Sequence, residues 1–268
     1  MSGISQLLGI GQSGIFAFQR ALSVTAHNVA NLNTKGYARQ EAVLSETRPQ
    51  DDRPGQVGTG VQVTQIRRSF DSFVDGQLLA SREQLGRFNA SHGALTLVEG
   101  LFGDSNDLGL GHDIDELFKA LQDVSNNPAD LTARSVLLSN AQTLAVNFNR
   151  AASNLSDQRQ SLDRQVAQAL TDINGLSKQI ADLNAQISQA ELSGQRANDL
   201  RDQRGRLLKD LGEFIDVTAL EDPTGQLTIF AGRGHILVDK NATHNLIGVP
   251  TGSNSGLLDV AYDVGGGS

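Results

Sequence analysis

The chain has 268 residues and a formal net charge of -8, enough for one large or two ordinary domains and ill matched to a phosphate-backbone partner such as nucleic acid. It contains no cysteine, which excludes disulfide scaffolds, zinc–thiolate sites and thiol nucleophiles, and no apolar run nears the ~20 residues of a membrane span. Aromatic residues are 4% with no Trp, a composition suited to long helices packed through Leu, Ile, Val and Ala.

At the N-terminus, Ile4, Leu8, Gly11, Ile15, Phe18, Leu22, Thr25, Val29 and Leu32 recur at alternating steps of four and three. That spacing predicts one amphipathic helix over residues 4–32 with a single apolar stripe. Standing ahead of any other core, such a helix is marginal alone and is expected to be disordered or transiently helical until another helix covers it. Asn33-Thr34-Lys35-Gly36 supplies turn formers, and Gly36 is suited to a left-handed backbone that ends the helix. Met1-Ser2-Gly3 lacks the basic segment of a secretory signal, and Gly9 to Gly14 interrupts the apolar run.

Residues 41–66 carry Pro49, Pro54, Gly55, Gly58 and Gly60, then Val61, Val63 and Ile66, and predict two short strands around the polar turn Gln50-Asp51-Asp52-Arg53. A second helix is predicted over 70–102, with Val74, Leu78, Leu85, Phe88 and Leu95 as its stripe and Gly103-Asp104-Ser105-Asn106-Asp107 as its end. A third follows over 114–125, stopped by Asn126-Asn127-Pro128. The most regular signal comes next. Leu138, Ala141, Ala145, Phe148, Ala152, Leu155, Leu162, Val166, Ala169, Ile173, Leu176, Ile180, Leu183, Ile187 and Ala190 keep four-three spacing, with only Arg159 breaking the seam, which predicts a helix of ~60 residues, about 90 Å long. Ser193-Gly194 allows a reversal, and Leu200, Leu207, Leu211 and Phe214 offer a returning stripe. The expected architecture is mainly α: an antiparallel, coiled-coil-like rod in which helices 70–102 and 197–214 cover the long one. From residue 216 strand-like runs take over at 216–220, 226–230, 236–238, 245–249 and 257–264, the start of a β-rich domain. The expected divisions are 1–40 (terminal helix), 41–215 (helical rod with its short hairpin at 41–66) and 216–268.

The run Ala21-Leu22-Ser23-Val24-Thr25-Ala26-His27-Asn28-Val29-Ala30-Asn31-Leu32-Asn33-Thr34-Lys35-Gly36-Tyr37 resembles the N-terminal signature of the bacterial flagellar rod, hook and hook-associated proteins, with Asn28, Asn31, Asn33, Thr34, Gly36 and Tyr37 at the family's spacing. Gly58-Thr59-Gly60-Val61-Gln62-Val63, leading to Arg68, Asp71, Phe73 and Gln77, is similar to the hook-associated branch. So are Asn127-Pro128-Ala129-Asp130 to Arg134 and Asn198-Asp199-Leu200-Arg201-Asp202-Gln203-Arg204. The resemblance spans about residues 1–215, and the long heptad segment favours the hook-associated branch over rod and hook proteins.

The resemblance implies a structural subunit rather than an enzyme, joining hook to filament by self-assembly, with no cofactor and no metal. Its implied partners are copies of itself, hook protein, and the next hook-associated protein or filament subunits, with an export chaperone as a further candidate. It implies a place in the extracellular flagellum, reached through the flagellum's own secretion channel without a cleaved signal peptide. The implied assembly interface is Ile4, Leu8, Ile15, Phe18, Leu22, Val29 and Leu32. Asn28, Asn31, Asn33, Thr34, Gly36 and Tyr37 are expected to form a hydrogen-bonded turn that sets the angle between terminal helix and rod, rather than simply capping and solvating a helix end. Family members end in a second helix that pairs with the first; nothing here resembles it, so the chain is expected to be part of a longer protein. The alternatives are a hook or rod subunit, or a non-flagellar coiled-coil adaptor.

Other motifs carry less. Gly9-Ile10-Gly11-Gln12-Ser13-Gly14 matches a dinucleotide fingerprint literally but lacks the preceding strand. Asp104 to Asp115 gestures at a calcium loop, yet Leu108 sits at a ligand position and the closing Glu is missing. His27, His92, His112, His235 and His244 have no paired metal spacing. Arg196, Arg201, Arg204 and Arg206, interleaved with Asp199 and Asp202, read as a solvated, salt-bridged face.

Overall fold

The computed structural model describes residues 2–53, 55–102 and 109–263. The fold is mainly helical with short antiparallel strands. In chain order come α1 (Ser2–Ala30), β1 (Gln40–Glu46), β2 (Gln50–Asp52), β3 (Gly55–Val57), β4 (Val61–Arg68), α2 (Ser72–Phe102) and α3 (Leu110–Asn126). They are followed by α4 (Leu131–Glu191), α5 (Asn198–Gly212), β5 (Val217–Glu221), β6 (Leu227–Ala231), β7 (His235–Asp239), β8 (Ala242–Thr243), β9 (Leu246–Pro250) and β10 (Leu258–Tyr262). The candidate calcium loop at 104–109 and the stop at 103–107 fall largely outside the described residues.

The chain divides into two packed units, one of Met1–Gly86, Asp172–Leu246 and Tyr262–Ser268, the other of Arg87–Thr171 and Ile247–Ala261. In the first, α1 lies against the β1–β4 ladder, whose register runs from Gln40 opposite Arg68 to Glu46 opposite Val61. The polar stretch predicted as a bare turn is instead a second ladder, with Gln50 opposite Val57 and Asp52 opposite Gly55. Thr47 and Thr59 join the two ladders, their hydroxyls 2.7 Å apart.

A hairpin rather than a helix lies against α1, on the face away from the predicted apolar stripe. Ala17 and Val24 are buried beneath it, and the Ser13 hydroxyl accepts the Val61 N–H at 3.2 Å. The two buried residues, Ala17 and Val24, are one heptad apart and lie off the longer apolar stripe that dominates the sequence pattern. Gly60 makes the close approach possible: a Cβ there would sit 2.1 Å from Ser13 Oγ.

In the same unit α5 runs antiparallel to α4, burying Leu208 and Leu211 with Ile180, Leu183 and Ile187. The start of α2 packs on α5 through Leu79, Glu83 and Gly86, and Asp75 pairs with Lys209 at 2.5 Å. The predicted α2 stripe (Val74, Leu78, Leu85, Phe88, Leu95) is exposed. Gly86 is why the other face is used: a Cβ at this position would lie 2.0 Å from the Glu213 carbonyl oxygen, so glycine lets the two backbones approach. The four-stranded antiparallel sheet β5-β6-β7-β8 completes the unit, burying Ile229, Ala231, Leu237 and Val238.

In the second unit α3 runs antiparallel to α4, with the Asn140 amide donating to the Glu116 carbonyl (3.1 Å) and the Asn147 amide to Asp113 (2.5 Å). These asparagines lie beside the predicted seam, and Leu138 and Phe148 of that seam are exposed. The seam holds over Ile173, Ile180, Leu183 and Ile187, where apolar partners exist. β9 and β10 form a two-stranded sheet, and Asp163 accepts the Leu258 N–H at 2.7 Å.

Candidate functional site

The apolar stripe of α1 faces outward. Ile4, Leu8, Ile15, Phe18, Leu22, Val29 and Leu32 are 60–79% exposed, although the opposite face of the same helix is packed. Leu32 lies just past the helix, in the turn. Gly11 and Gly14 have open space where a Cβ would stand, which leaves a shallow apolar concavity bounded by Ile10, Ile15, Phe18 and Leu22.

The signature residues follow at once. The helix ends at Ala30, earlier than predicted, and the chain steps through turns in which Thr34 N–H donates to the Asn31 carbonyl and Tyr37 N–H to the Thr34 carbonyl. Gly36 has φ +74°, but it shapes the approach to Tyr37 rather than ending the helix; a Cβ there would meet the Arg206 side chain at 2.4 Å. Asn28 is the hub. Its carboxamide oxygen accepts the Gln40 N–H (2.8 Å) and the Tyr37 hydroxyl (2.7 Å), while its NH2 donates to the Gln40 carbonyl (2.8 Å). Asn31 donates to the His27 carbonyl (3.0 Å) and accepts from Thr34 Oγ1 (3.1 Å). Asn33 is exposed and stands outside this network. Burial, and then Asp199 and Asp202, raise the Tyr37 pKa, which keeps the phenol protonated and donating.

The far side of the joint is the beginning of α5, which sequence reasoning did not assign to it. Asp202 accepts the Ala38 N–H (2.8 Å) and Arg68 Nη1 (2.8 Å). Asp199 accepts Gln40 Nε2 at 2.6 Å, with His27 Nε2 3.5 Å away, and Asn198 donates to the Ile66 carbonyl at 2.9 Å. Gln40 itself is buried.

The charges of 196–206 are therefore not simply a solvated face. Arg201 and Arg204 are 8% and 2% exposed. Arg201 makes a bidentate pair with Glu191 (2.7 and 2.8 Å) and also reaches Glu221. Arg204 donates to Asn184 Oδ1 (2.8 Å) and the Gly225 carbonyl (2.6 Å). Asn184, fully buried, bonds both backbone groups of Leu227 and the Lys240 carbonyl. The Arg201 guanidinium holds the Glu191 carboxyl down to about 2, and burial pushes Arg204 down to about 10, still charged at neutral pH. The available signal was positional: Arg201, Arg204, Leu208 and Leu211 share one helical stripe, so the arginines occupy core positions. Among the described residues no group of three His, Cys, Asp or Glu is placed to hold a metal, and no helix is long and apolar enough to cross a membrane.

The family model described as the flagellar hook-associated protein FlgK helical domain matches residues 95–268 of this chain. The chain belongs to the FlgK family. A second model, the flagella basal body rod protein, matches residues 8–37, which takes in α1 from Leu8 and the turn to Tyr37. The FlgK-family assignment is supported by similarity to flagellar hook-associated protein 1 of Bacillus subtilis, 32% identical over 87% of this chain and 48% of the relative. The Salmonella typhimurium protein of the same name is 29% identical over 97% of this chain and 47% of the relative. The chain thus spans about half the length of the curated relatives it matches. Among solved structures, the flagellar hook junction protein FlgK from Burkholderia pseudomallei aligns with TM-score 0.60 and 34% identity, covering 69% of this chain and 33% of that one.

Proposed function

We propose that this protein is a structural subunit of the flagellum that joins hook to filament, and that the outer face of α1 is its assembly surface. The observation that carries the reading is the pairing of two faces on one helix. One face is used within the chain, burying Ala17 and Val24, while Ile4, Leu8, Ile15, Phe18, Leu22 and Val29 opposite, with Leu32 in the turn beyond, are offered to solvent. Contiguous exposed apolar surface of this kind marks an association site. A subunit with two different adhesive surfaces adds head-to-tail, generating a ring or an open helical array according to whether the rotation closes.

The partners that follow are copies of this chain, hook protein below, and the next hook-associated protein or filament subunits above. Delivery is through the flagellar secretion channel, with an export chaperone as an additional partner. The role is architectural and needs no catalysis, cofactor, nucleic acid or membrane insertion. The test is electron microscopy of isolated hooks incubated with the full-length protein. Wild-type subunits add at the distal end, whereas the triple variant Leu8→Ser, Phe18→Ser, Leu22→Ser stays soluble and folded but does not add. Addition of that variant at the wild-type level would overturn the reading.

A further inference from the structure

We propose that the first turns of α5 are the positioning element for α1: Asn198, Asp199 and Asp202 grip the joint beyond the terminal helix and thereby fix the direction in which its apolar face is presented. This deepens the assembly reading above and rests on it for its biological meaning, although the geometry can be tested alone.

The three side chains sit at positions i, i+1 and i+4 of a helix, which places them close together on one side. Each ends on the joint, and together they hold both strands of the ladder that packs on α1. Asp202 ties Ala38, two residues before β1, to the last residue of β4 (Arg68); its two oxygens each accept one of these donors at 2.8 Å. Asn198 reaches the Ile66 carbonyl of β4 at 2.9 Å and Gln40 Oε1 of β1 at 3.4 Å. Asp199 holds the Gln40 amide at 2.6 Å. Gln40 passes the constraint on, since its backbone N–H and carbonyl are both taken by Asn28 of α1. A continuous path of hydrogen bonds therefore runs from α5 through Gln40 to α1.

Asn198 and Gln40 on this path are buried while Asp199 is largely exposed, and the stiffest part of the grip is the parallel Asp202 contact. The Asp202 side chain is 4% exposed and Arg68 15%, so water cannot readily replace either partner, in contrast to the open Arg67–Glu41 pair on the neighbouring register, which is more than half exposed on both sides. Arg68 is further held over the Phe70 ring, 4.0 Å from its centroid. Gly36 closes against the Arg206 side chain, so α5 meets the turn with a packing contact as well as with polar ones. None of these residues contributes to the outer stripe of α1. Their chemistry acts on that stripe only through its orientation.

These 268 residues contain no cysteine, so spin labels are placed in them directly, with any cysteine elsewhere in the full-length protein changed to serine. In the full-length protein, one pair (Ser23→Cys on α1, Lys178→Cys on α4) reports α1 direction, and a second (Thr218→Cys on β5, Lys178→Cys) reports the integrity of the helix–sheet core. Asp202→Ala is expected to broaden the first distance distribution at least twofold, leave the second unchanged, and speed amide exchange at Ala38 and Gln40 about tenfold or more. Asp202→Asn, which keeps an acceptor for the Ala38 N–H, is expected to fall between. If Asp202→Ala disturbs the second pair, Asn198→Ala, which removes no charge, gives the same reading at lower cost. A first-pair distribution as narrow as wild type in both Asp202→Ala and Asn198→Ala overturns the proposal. The hook assay separates it from the assembly reading: Leu8→Ser, Phe18→Ser, Leu22→Ser blocks addition with the distance distribution intact, whereas Asp202→Ala slows addition with the distribution broadened.

Discussion

Asn184 shows how much one buried amide can hold. Its carboxamide satisfies Leu227 N–H, the Leu227 and Lys240 carbonyls and Arg204 within a fully buried site, so Asn184→Ala strands several polar groups together. We expect a loss of about 3 kcal/mol or more, measured as a fall in the urea midpoint. Glu191 gives a test by pH. Its carboxyl ordinarily titrates at 4.5 but is held at about 2 in the folded chain, principally by the Arg201 hydrogen bonds. Between those values the unfolded chain binds more protons, so the contribution is full above pH ~4.5 and is lost as pH falls toward 2. Its ceiling is about 3 kcal/mol. Urea unfolding of wild type and Glu191→Gln across pH 2–7 should show a weaker acid dependence in the variant. Neither residue was legible as such: Asn184 falls one place beside the apolar seam, and the arginines it serves read as surface charge because only the fold brings Glu191 and Glu221 to them.

Helices were the legible elements, since four-three spacing survives any tertiary context, and α1, α2, α3, α4 and α5 lie where periodicity predicts them. Which face packs was less legible. On α1 and α2 the most apolar stripe points outward, and the packed face mixes single apolar residues (Val24, Leu79) with Ser13, Ala17, Glu83 and Gly86, where close approach adds to what little apolar area there is. Glycine substitutions separate these cases on a single helix. Gly86→Ala drives a methyl into the Glu213 carbonyl oxygen and should cost about 2–3 kcal/mol through forced separation of α2 and α5. Gly76→Ala meets only open space and should gain about 0.5–1 kcal/mol from helix propensity. Thermal melts of the two variants decide it. Opposite signs are the expected outcome. Among the strands, β8 and the β2–β3 extension escaped notice because two or three residues are too short to show alternation.

At the scale of the molecule the buried apolar side chains are unevenly shared. Among the described residues the second unit contributes only Ala120 and Leu170, whereas the first holds the clusters around α4, α5 and the four-stranded sheet. Amide exchange should accordingly be faster across Arg87–Thr171 than across Asp172–Leu246, and mass spectrometry of the exchanged protein measures this directly. Comparable protection in the two would contradict it. The signature gave the wider flagellar axial family and the long heptad segment the hook-associated branch, but this imbalance could not be read, because both halves of α4 carry a heptad rhythm and differ in what lies against them. The outward stripe of α1 has one more thermodynamic consequence. Contacts made by Ile4, Leu8, Ile15, Phe18 and Leu22 would be driven by release of ordered water, whose benefit fades on cooling and whose mark is a negative heat-capacity change. A polymer sealed along such a line should therefore loosen in the cold and tighten with moderate warming, the reverse of one held by hydrogen bonds.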